Sequence, residues 1–112
     1  MTPFFMKKII YNVTTKVELD IHDEWLKYMK EILIPDVMNT GMFLENKICR
    51  VLSQDESDGI TYAFRYICPD MAKLHKYEIN HAPALREDVI KRYKGKYVVF
   101  RTLMEIEEEF TT

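Results

Sequence analysis

Glycine is scarce in this sequence, and the positions of its few glycines exclude the loops that bind nucleotide phosphates. The 112 residues include 3 glycines, Gly41, Gly59 and Gly95, which lie far apart along the chain. A phosphate-binding loop needs closely spaced glycines between a strand and a helix, and no such cluster is present. No serine lies in the pattern of a nucleophile elbow either. The composition therefore points away from nucleotide-binding enzymes and serine hydrolases of that type.

An excess of charge of one sign and a long apolar run are lacking as well. The 16 Lys and Arg nearly balance the 18 Asp and Glu, for a net charge of -2, so the sequence lacks the basic composition typical of nucleic-acid-binding proteins. The apolar segment 2–6 is too short for a signal sequence or a membrane span. We therefore expect a cytoplasmic protein that binds neither nucleic acid nor a membrane.

Size and composition also limit the domain organisation. A chain of 112 residues with 47% hydrophobic residues has room for one domain with a buried core. We expect residues 7–107 to form that domain, with residues 1–6 and 108–112 as flexible ends. The 2 cysteines, Cys49 and Cys68, should be reduced thiols in the cytoplasm. No group of ligand-type residues predicts a metal or a cofactor.

The most informative pattern that is present is a repeat. Leu26 and Pro35 bound one amphipathic stretch, and Leu74 and Pro83 bound another at the same separation. An apolar, β-rich run precedes each stretch, and a glycine follows each stretch and opens the next run. The pattern predicts strand–helix–strand twice over.

Apolar periodicity gives the approximate bounds of these elements. Alternating apolar residues predict strands over residues 8–17, 42–52, 60–68 and 96–106. Helical spacing predicts one helix that begins at Asp20 and ends or kinks at Pro35, and a second from Pro69 to Gly95 that bends at Pro83. The order β-α-β-β-α-β is that of the ferredoxin-like α+β fold, whose four-stranded antiparallel sheet carries both helices on one face. The other face then has no cover within the chain.

The connection between the second and third strands ends in Asp58 and Gly59, a strong hairpin signal. If these two residues form the centre of the turn, Cys49 lies directly opposite Cys68. Two facing thiols suggest a disulfide or a metal site, but a metal needs more ligands than two. Small buried hydrophobic side chains are the more common role for such cysteines.

Strand alternation divides the sheet residues between two faces. The more apolar set is expected beneath the helices and consists of Ile9, Tyr11, Val13, Ile60, Tyr62, Phe64, Val98, Phe100 and Met104. The opposite set is expected on the open face and consists of Ile10, Asn12, Thr14, Ala63, Arg65, Ile67, Tyr97, Val99, Arg101 and Leu103. The second strand is expected to add Ile48, Arg50 and Leu52 to the open face.

This open face is too apolar for water and too polar for a dry core. Its aliphatic residues would form one contiguous exposed patch, whereas Asn12, Arg65 and Arg101 need polar partners when buried. A second copy of the chain satisfies both requirements, so we predict a homodimer through the open faces. The arginines would then pair with carboxylates across the interface or bind a small trapped anion. The alternative is a monomer whose arginines lie over the apolar side chains.

Several segments together resemble a family of small bacterial proteins, domain of unknown function family 4286. They are residues 9–14, 25–26, 34–38, 41–43, 81–83, 85–86 and 100–103. More distantly, the chain is similar to the dimeric α/β-barrel superfamily, in which ferredoxin-like protomers pair through their sheets. The resemblance implies the fold and the homodimer but no reaction, so our first hypothesis is a binding or interaction module.

His81 is the candidate catalytic residue, because it lies on the apolar stripe of the second helix. A histidine there can act as a general base or as an axial ligand of haem; the alternative is a structural role at the bend before Pro83. Asn12, Trp25 and His81 resemble the Asn/Trp/His set of some dimeric α/β-barrel monooxygenases and haem-degrading enzymes. That resemblance implies the second hypothesis, a cofactor-independent or haem-linked monooxygenase. Trp25 is better explained as a core anchor for the first helix.

Overall fold

The computed structural model describes residues 7–112, so the expected flexibility of residues 1–6 concerns a segment outside the described part. The strands are β1 (Ile9–Glu18), β2 (Glu45–Arg50), β3 (Gly59–Cys68) and β4 (Tyr97–Glu105). The helices are α1 (His22–Tyr28), α2 (Ile34–Asn39), α3 (Met71–Asn80) and α4 (Ala82–Tyr93). The sheet has the order β2-β3-β1-β4 and is antiparallel throughout. The predicted ferredoxin-like β-α-β-β-α-β order is confirmed.

The first helical run passes through Pro35 and continues to Asn39. Between α1 and α2 the backbone makes a wider, π-helical turn over Met29–Leu33. A proline lacks an N–H and its ring presses on the carbonyl one turn earlier, and a wider turn relieves that conflict. The proline therefore interrupts the helix without ending it. Gly41 then takes a φ of 76°, the left-handed conformation that caps a helix.

The second helical run is divided at His81, whose φ of -124° lies outside helical values. Its first half begins after Asp70, whose side chain accepts a hydrogen bond of 2.9 Å from the backbone N–H of Lys73. This N-cap satisfies one of the donors that a helix start leaves unpaired. Gly95, with a φ of 82°, leads from α4 into β4.

Aromatic side chains fill the layer between the helices and the sheet. Trp25 is 1% exposed, and its ring meets that of Phe64 edge-on at 5.8 Å. A second group consists of Tyr11, Phe43, Tyr66 and Tyr77, with ring centroids 4.8 to 6.0 Å apart. Burial of large rings with such tilted and edge-on contacts supplies much of the stability of a small core.

The hairpin between β2 and β3 differs from its prediction. Cys49 lies opposite Ala63 and not opposite Cys68, so the predicted pairing of the thiols is wrong. The loop is longer than a two-residue turn, and the guanidinium of Arg50, at the end of β2, donates two hydrogen bonds of 2.7 and 3.0 Å to the Glu56 carboxylate in the loop. Cys68 is buried, as expected for a small hydrophobic residue, whereas Cys49 is exposed.

The two edge strands also present the opposite faces from those predicted. Tyr11 of β1 lies opposite Leu103 of β4, and Val13 lies opposite Arg101. The residues of β4 beneath the helices are therefore Tyr97, Val99, Arg101 and Leu103, and those on the open face are Val98, Phe100, Thr102 and Met104. In β2, Ile48 and Arg50 lie opposite Phe64 and Tyr62 and so belong to the helix-covered face. The prediction failed at β4 because it assumed that the more apolar set of a strand is the covered one.

The face of the sheet away from the helices is called the open face below. Its apolar members are Ile10, Ala63, Ile67, Val98, Phe100 and Met104, and its polar members include Asn12, Thr14, Lys47 and Arg65. Val98 is 68% exposed and Phe100 is 63% exposed. Within residues 7–112, none of the helices has the length and apolar character needed to span a membrane.

Candidate ligand cavity between the helices and the sheet

A cavity of about 180 Å³ lies between the helical layer and the sheet. Its inner end is formed by Trp25 and Phe64, which are almost completely buried. Its outer end lies between α4 and the edge strand β4, where Ile90, Val99 and Arg101 are exposed. The remaining lining residues are Tyr11, Val13, Thr15, Met29, Leu33, Val37, Tyr66, Tyr77, Leu85, Arg86, Val89 and Tyr97. We call this space the helix–sheet cavity.

Most of the cavity wall is aliphatic or aromatic, with a few polar groups among them. Alternation along β1 places Tyr11, Val13 and Thr15 on the sheet side of the cavity. Helical spacing along α4 places Arg86, Val89 and Ile90 on the helix side. A concave site with an apolar wall and a small number of convergent polar groups is typical of small-molecule binding sites. An apolar cavity of roughly 150 Å³ in another protein accommodates benzene, so this cavity has room for one aromatic ring.

Arg86 provides the best-defined polar group of the cavity. Its Nη2 donates to both carboxylate oxygens of Glu78, at 2.8 and 2.9 Å, and to the phenol oxygen of Tyr11 at 2.8 Å. These contacts join α3, α4 and β1, so they fix the guanidinium relative to the sheet. Burial raises the pKa of Tyr11 above its usual value, and the guanidinium groups of Arg101 and Arg86 oppose part of that rise.

Arg101 lies at the outer end of the same cavity. Its positive charge lowers the pKa values of Tyr77 and Tyr97, although burial raises both above the usual value for a phenol overall. Together, the two arginines make this end of the cavity a site of positive potential.

The structure separates the ligand-binding residues that the sequence grouped together. Asn12 and Arg65 lie side by side on the open face, as predicted, and the Asn12 amide donates to the Thr14 hydroxyl at 3.0 Å. Arg101 lies on the opposite face of the sheet, so the expected cluster of Asn12, Arg65 and Arg101 does not form within one protomer. The cause is the register between β1 and β4, which alternation alone does not fix.

His81 lies at the junction of α3 and α4 and outside the cavity lining. Its ring stacks on that of Tyr77 with centroids 6.3 Å apart, and its backbone N–H donates to the Tyr77 carbonyl at 3.0 Å. His22 and His75 do not line the cavity either. Trp25 does line it and is also part of the core, whereas Asn12 is on the far side of the sheet. The Asn/Trp/His set therefore does not converge on one space.

Arg86, Tyr11 and Tyr77 were not predicted from the sequence as components of a site. Arg86 follows the fully buried Ala82 by four residues and precedes Val89 by three, so it lies on an inward-facing helical row. That spacing could have identified Arg86 as an inward-facing residue from the sequence. The two tyrosines lie on recognised apolar stripes, where nothing in the sequence distinguishes a cavity wall from a filled core.

Solved structures show what the fold is similar to. A monooxygenase of Streptomyces coelicolor in complex with nanaomycin D has a TM-score of 0.60 and 10% identity, covering 96% of this chain and 94% of that chain. A hydroxynitrile lyase from Passiflora edulis has a TM-score of 0.67 and 14% identity, covering 95% and 99%. A dimeric ferredoxin-like protein from an uncultured marine organism has a TM-score of 0.56 and 13% identity, covering 93% and 99%. At these identities the likeness establishes the fold alone.

Family comparison is more specific than these structural likenesses. None of the curated proteins matches the chain. The family model described as Domain of unknown function (DUF4286) matches residues 8–107, which confirms the resemblance drawn from the sequence. The chain belongs to that family.

Proposed function

We propose that this protein is a homodimer that binds a small, mostly apolar molecule in the helix–sheet cavity. The observation that carries the proposal is the cavity itself, an apolar space of about 180 Å³ with Arg86 and Arg101 at its polar end. Interiors of small domains are close-packed, and voids of this size are few. A space that opens to solvent and is lined by fixed aromatic side chains is therefore better explained by a ligand than by imperfect packing.

The homodimer follows from the open face. Val98, Phe100 and Met104 lie exposed on it beside Ile10 and Ile67, and a contiguous apolar patch of this kind marks an interaction surface. A second copy of the chain offers a surface of the same shape and apolar character, and closed two-fold symmetry is the commonest assembly. The fold likeness to a protein described as dimeric supports the same arrangement.

Asn12 and Arg65 would be buried in such a dimer, because they lie in the middle of the open face. Both then need polar partners. Carboxylates of the second copy or a small trapped anion would supply them through charge-assisted hydrogen bonds. Arg101 is on the other side of the sheet and takes no part in this contact.

The monooxygenase alternative is supported by fold likeness only. The reaction printed for the Streptomyces coelicolor protein belongs to that protein, and the hydroxynitrile lyase shows a different chemistry on a similar fold. His81, which would supply the base or haem ligand, lies outside the cavity lining. The proposal is therefore one of binding.

Cavity binding can be tested with a neutral single-ring probe, 4-methylbenzamide, titrated into the protein and followed by amide chemical shifts. We expect saturable binding, with shifts centred on Trp25, Val89 and Val99. Val89→Phe fills the cavity and should raise the dissociation constant at least about tenfold. Ile79→Phe makes a similar change on α3 at a position that is 75% exposed and outside the lining, and it should leave the dissociation constant unchanged. Absence of saturation, or equal binding by Val89→Phe, would contradict the proposal.

A further inference from the structure

The helix–sheet cavity carries an unbalanced positive charge. Among residues 7–112, its lining includes two arginines, Arg86 and Arg101, and no aspartate or glutamate. Glu78 lies just behind the lining and is bound to Nη2 of Arg86, so one of the two charges is already neutralised. The other charge remains, and the space around it is largely apolar.

Arg101 is the residue that carries this remaining charge. None of the ion pairs formed among residues 7–112 includes it. Its neighbours on the same face of β4 are Val99 and Leu103, so its side chain projects from an apolar surface at the cavity entrance. A guanidinium in this setting presents five N–H donors in a planar fork that matches a carboxylate.

Arg86 and Tyr11, which also line the cavity, have hydrogen-bond donors that are not used within the described chain. All three hydrogen bonds that Arg86 makes within the described chain come from Nη2, so its Nε and Nη1 still have donors to offer. The Tyr11 oxygen accepts from Arg86, which leaves its own O–H able to donate. Among residues 7–112, the cavity lining thus offers charged and neutral donors but no carboxylate to accept from them.

We propose that the ligand of this cavity is a small apolar carboxylic acid, bound as the carboxylate by Arg101 with Arg86 and Tyr11, its apolar part lying against Trp25 and Met29. This inference rests on the proposed function and adds the ligand class. A monoanion balances the one uncompensated charge, whereas a dianion would leave an excess of negative charge next to Glu78. The planar two-oxygen group also suits the fork of a guanidinium.

Three probes of the same size and different charge test the proposal: 4-methylbenzoate, 4-methylbenzamide and 4-methylbenzylammonium, titrated at pH 7 and constant ionic strength with amide chemical shifts as readout. We expect the carboxylate to bind at least about tenfold more tightly than the amide, and the ammonium probe more weakly than the amide. Arg101→Met keeps the aliphatic stem and should reduce the preference for the carboxylate to about twofold or less, with the amide unaffected.

Lys76→Met provides a control for loss of one positive charge, because Lys76 is exposed on α3 and outside the cavity lining. It should leave all three dissociation constants unchanged. Equal binding of carboxylate and amide by the unaltered protein would overturn this inference and leave the proposed function intact. No saturable binding of any probe would overturn both. A carboxylate preference that survives in Arg101→Met would overturn the assignment of the anion to Arg101.

Discussion

The two faces of the sheet differ in how their apolar residues are covered. On the helix-covered face, Trp25 and Leu74 from the helices pack over Val17 and Phe64 from the strands, and all four are almost completely buried. On the open face, Val98 and Phe100 are mostly exposed although they are just as apolar. The first face is completed by the chain itself, whereas the second is the one that the proposed dimer would cover.

The edge strand β4 contributes apolar residues to both the helix-covered face and the open face. Val99 and Leu103 point to the helix side, and Val98 and Phe100 point to the open side. Both pairs are exposed to some degree, since the helices cover the centre of the sheet better than this edge. The same strand therefore forms the entrance of the helix–sheet cavity and part of the proposed dimer surface.

The largest effect is expected from breaking the helix-covered face. Trp25→Ala should lower the free energy of unfolding by about 3 to 5 kcal/mol, because it removes a fully buried ring and leaves a cavity. Urea denaturation followed by circular dichroism measures the change. Ile79→Ala, at an exposed position, should change the free energy of unfolding little. A similar loss in both variants would show that Trp25 is not a core anchor.

The next effect concerns the open face and the homodimer. Phe100→Asp places a charge among the exposed apolar residues of the proposed interface and should weaken the dimer at least about a hundredfold, as loss of an aromatic residue that anchors an interface does. Sedimentation equilibrium of the variant and the unaltered protein at micromolar concentrations measures this. Phe110→Asp makes the same chemical change outside the strands at a residue that is 90% exposed. A monomeric unaltered protein, or equal weakening by both substitutions, would refute the dimer.

The third prediction concerns the pH dependence of stability, which follows from the positions of the tyrosines. All 7 tyrosines lie on the helix-covered face or in the helices, and burial raises the pKa of every one of them above 10.0. The folded protein thus keeps protons that the unfolded chain releases, so stability is intact below about pH 10 and falls as the pH rises further.

Tyr66→Phe should remove one contribution to that fall. Tyr66 is buried, and desolvation is the main cause of its raised pKa, followed by the charges of Tyr77 and Tyr11. Each such group contributes a slope that rises toward about 1.4 kcal/mol per pH unit as the pH passes the unfolded pKa near 10, and the variant should lose that contribution. Urea denaturation between pH 9 and 11 gives the slope. Phenolate absorbance that develops fully near pH 10 in the native protein would contradict this prediction.

The element order was predictable because local signals agree with the global fold. Period-two and helical spacing gave the strands and helices, and Gly41 and Gly95 marked the turns at which they end. The faces of β4 were not predictable from apolarity, because its more apolar set faces outward. The hairpin register depends on the length of the loop between β2 and β3, which alternation along the strands does not encode.

The candidate site was predictable only in part. Arg101 was recognised as a residue that binds anions, but its partners were taken from the wrong face. The cavity depends on the distance between the helical layer and the sheet, because its lining comes from both. Spacing along one element carries no information on that distance.

The smallest predicted effect concerns the stability of the helical layer and whether that layer influences the open face. Asp70→Ala removes the N-cap of α3 and should lower the free energy of unfolding by about 1 kcal/mol, because the Lys73 N–H loses its acceptor. Asp70→Asn keeps an oxygen at the same position and should retain most of that stability. Because the cap belongs to the helical layer, neither substitution should alter dimer dissociation in sedimentation equilibrium. Weakened dimerisation in Asp70→Ala alone would mean that the two faces are coupled, and that the open face depends on the helices for its shape.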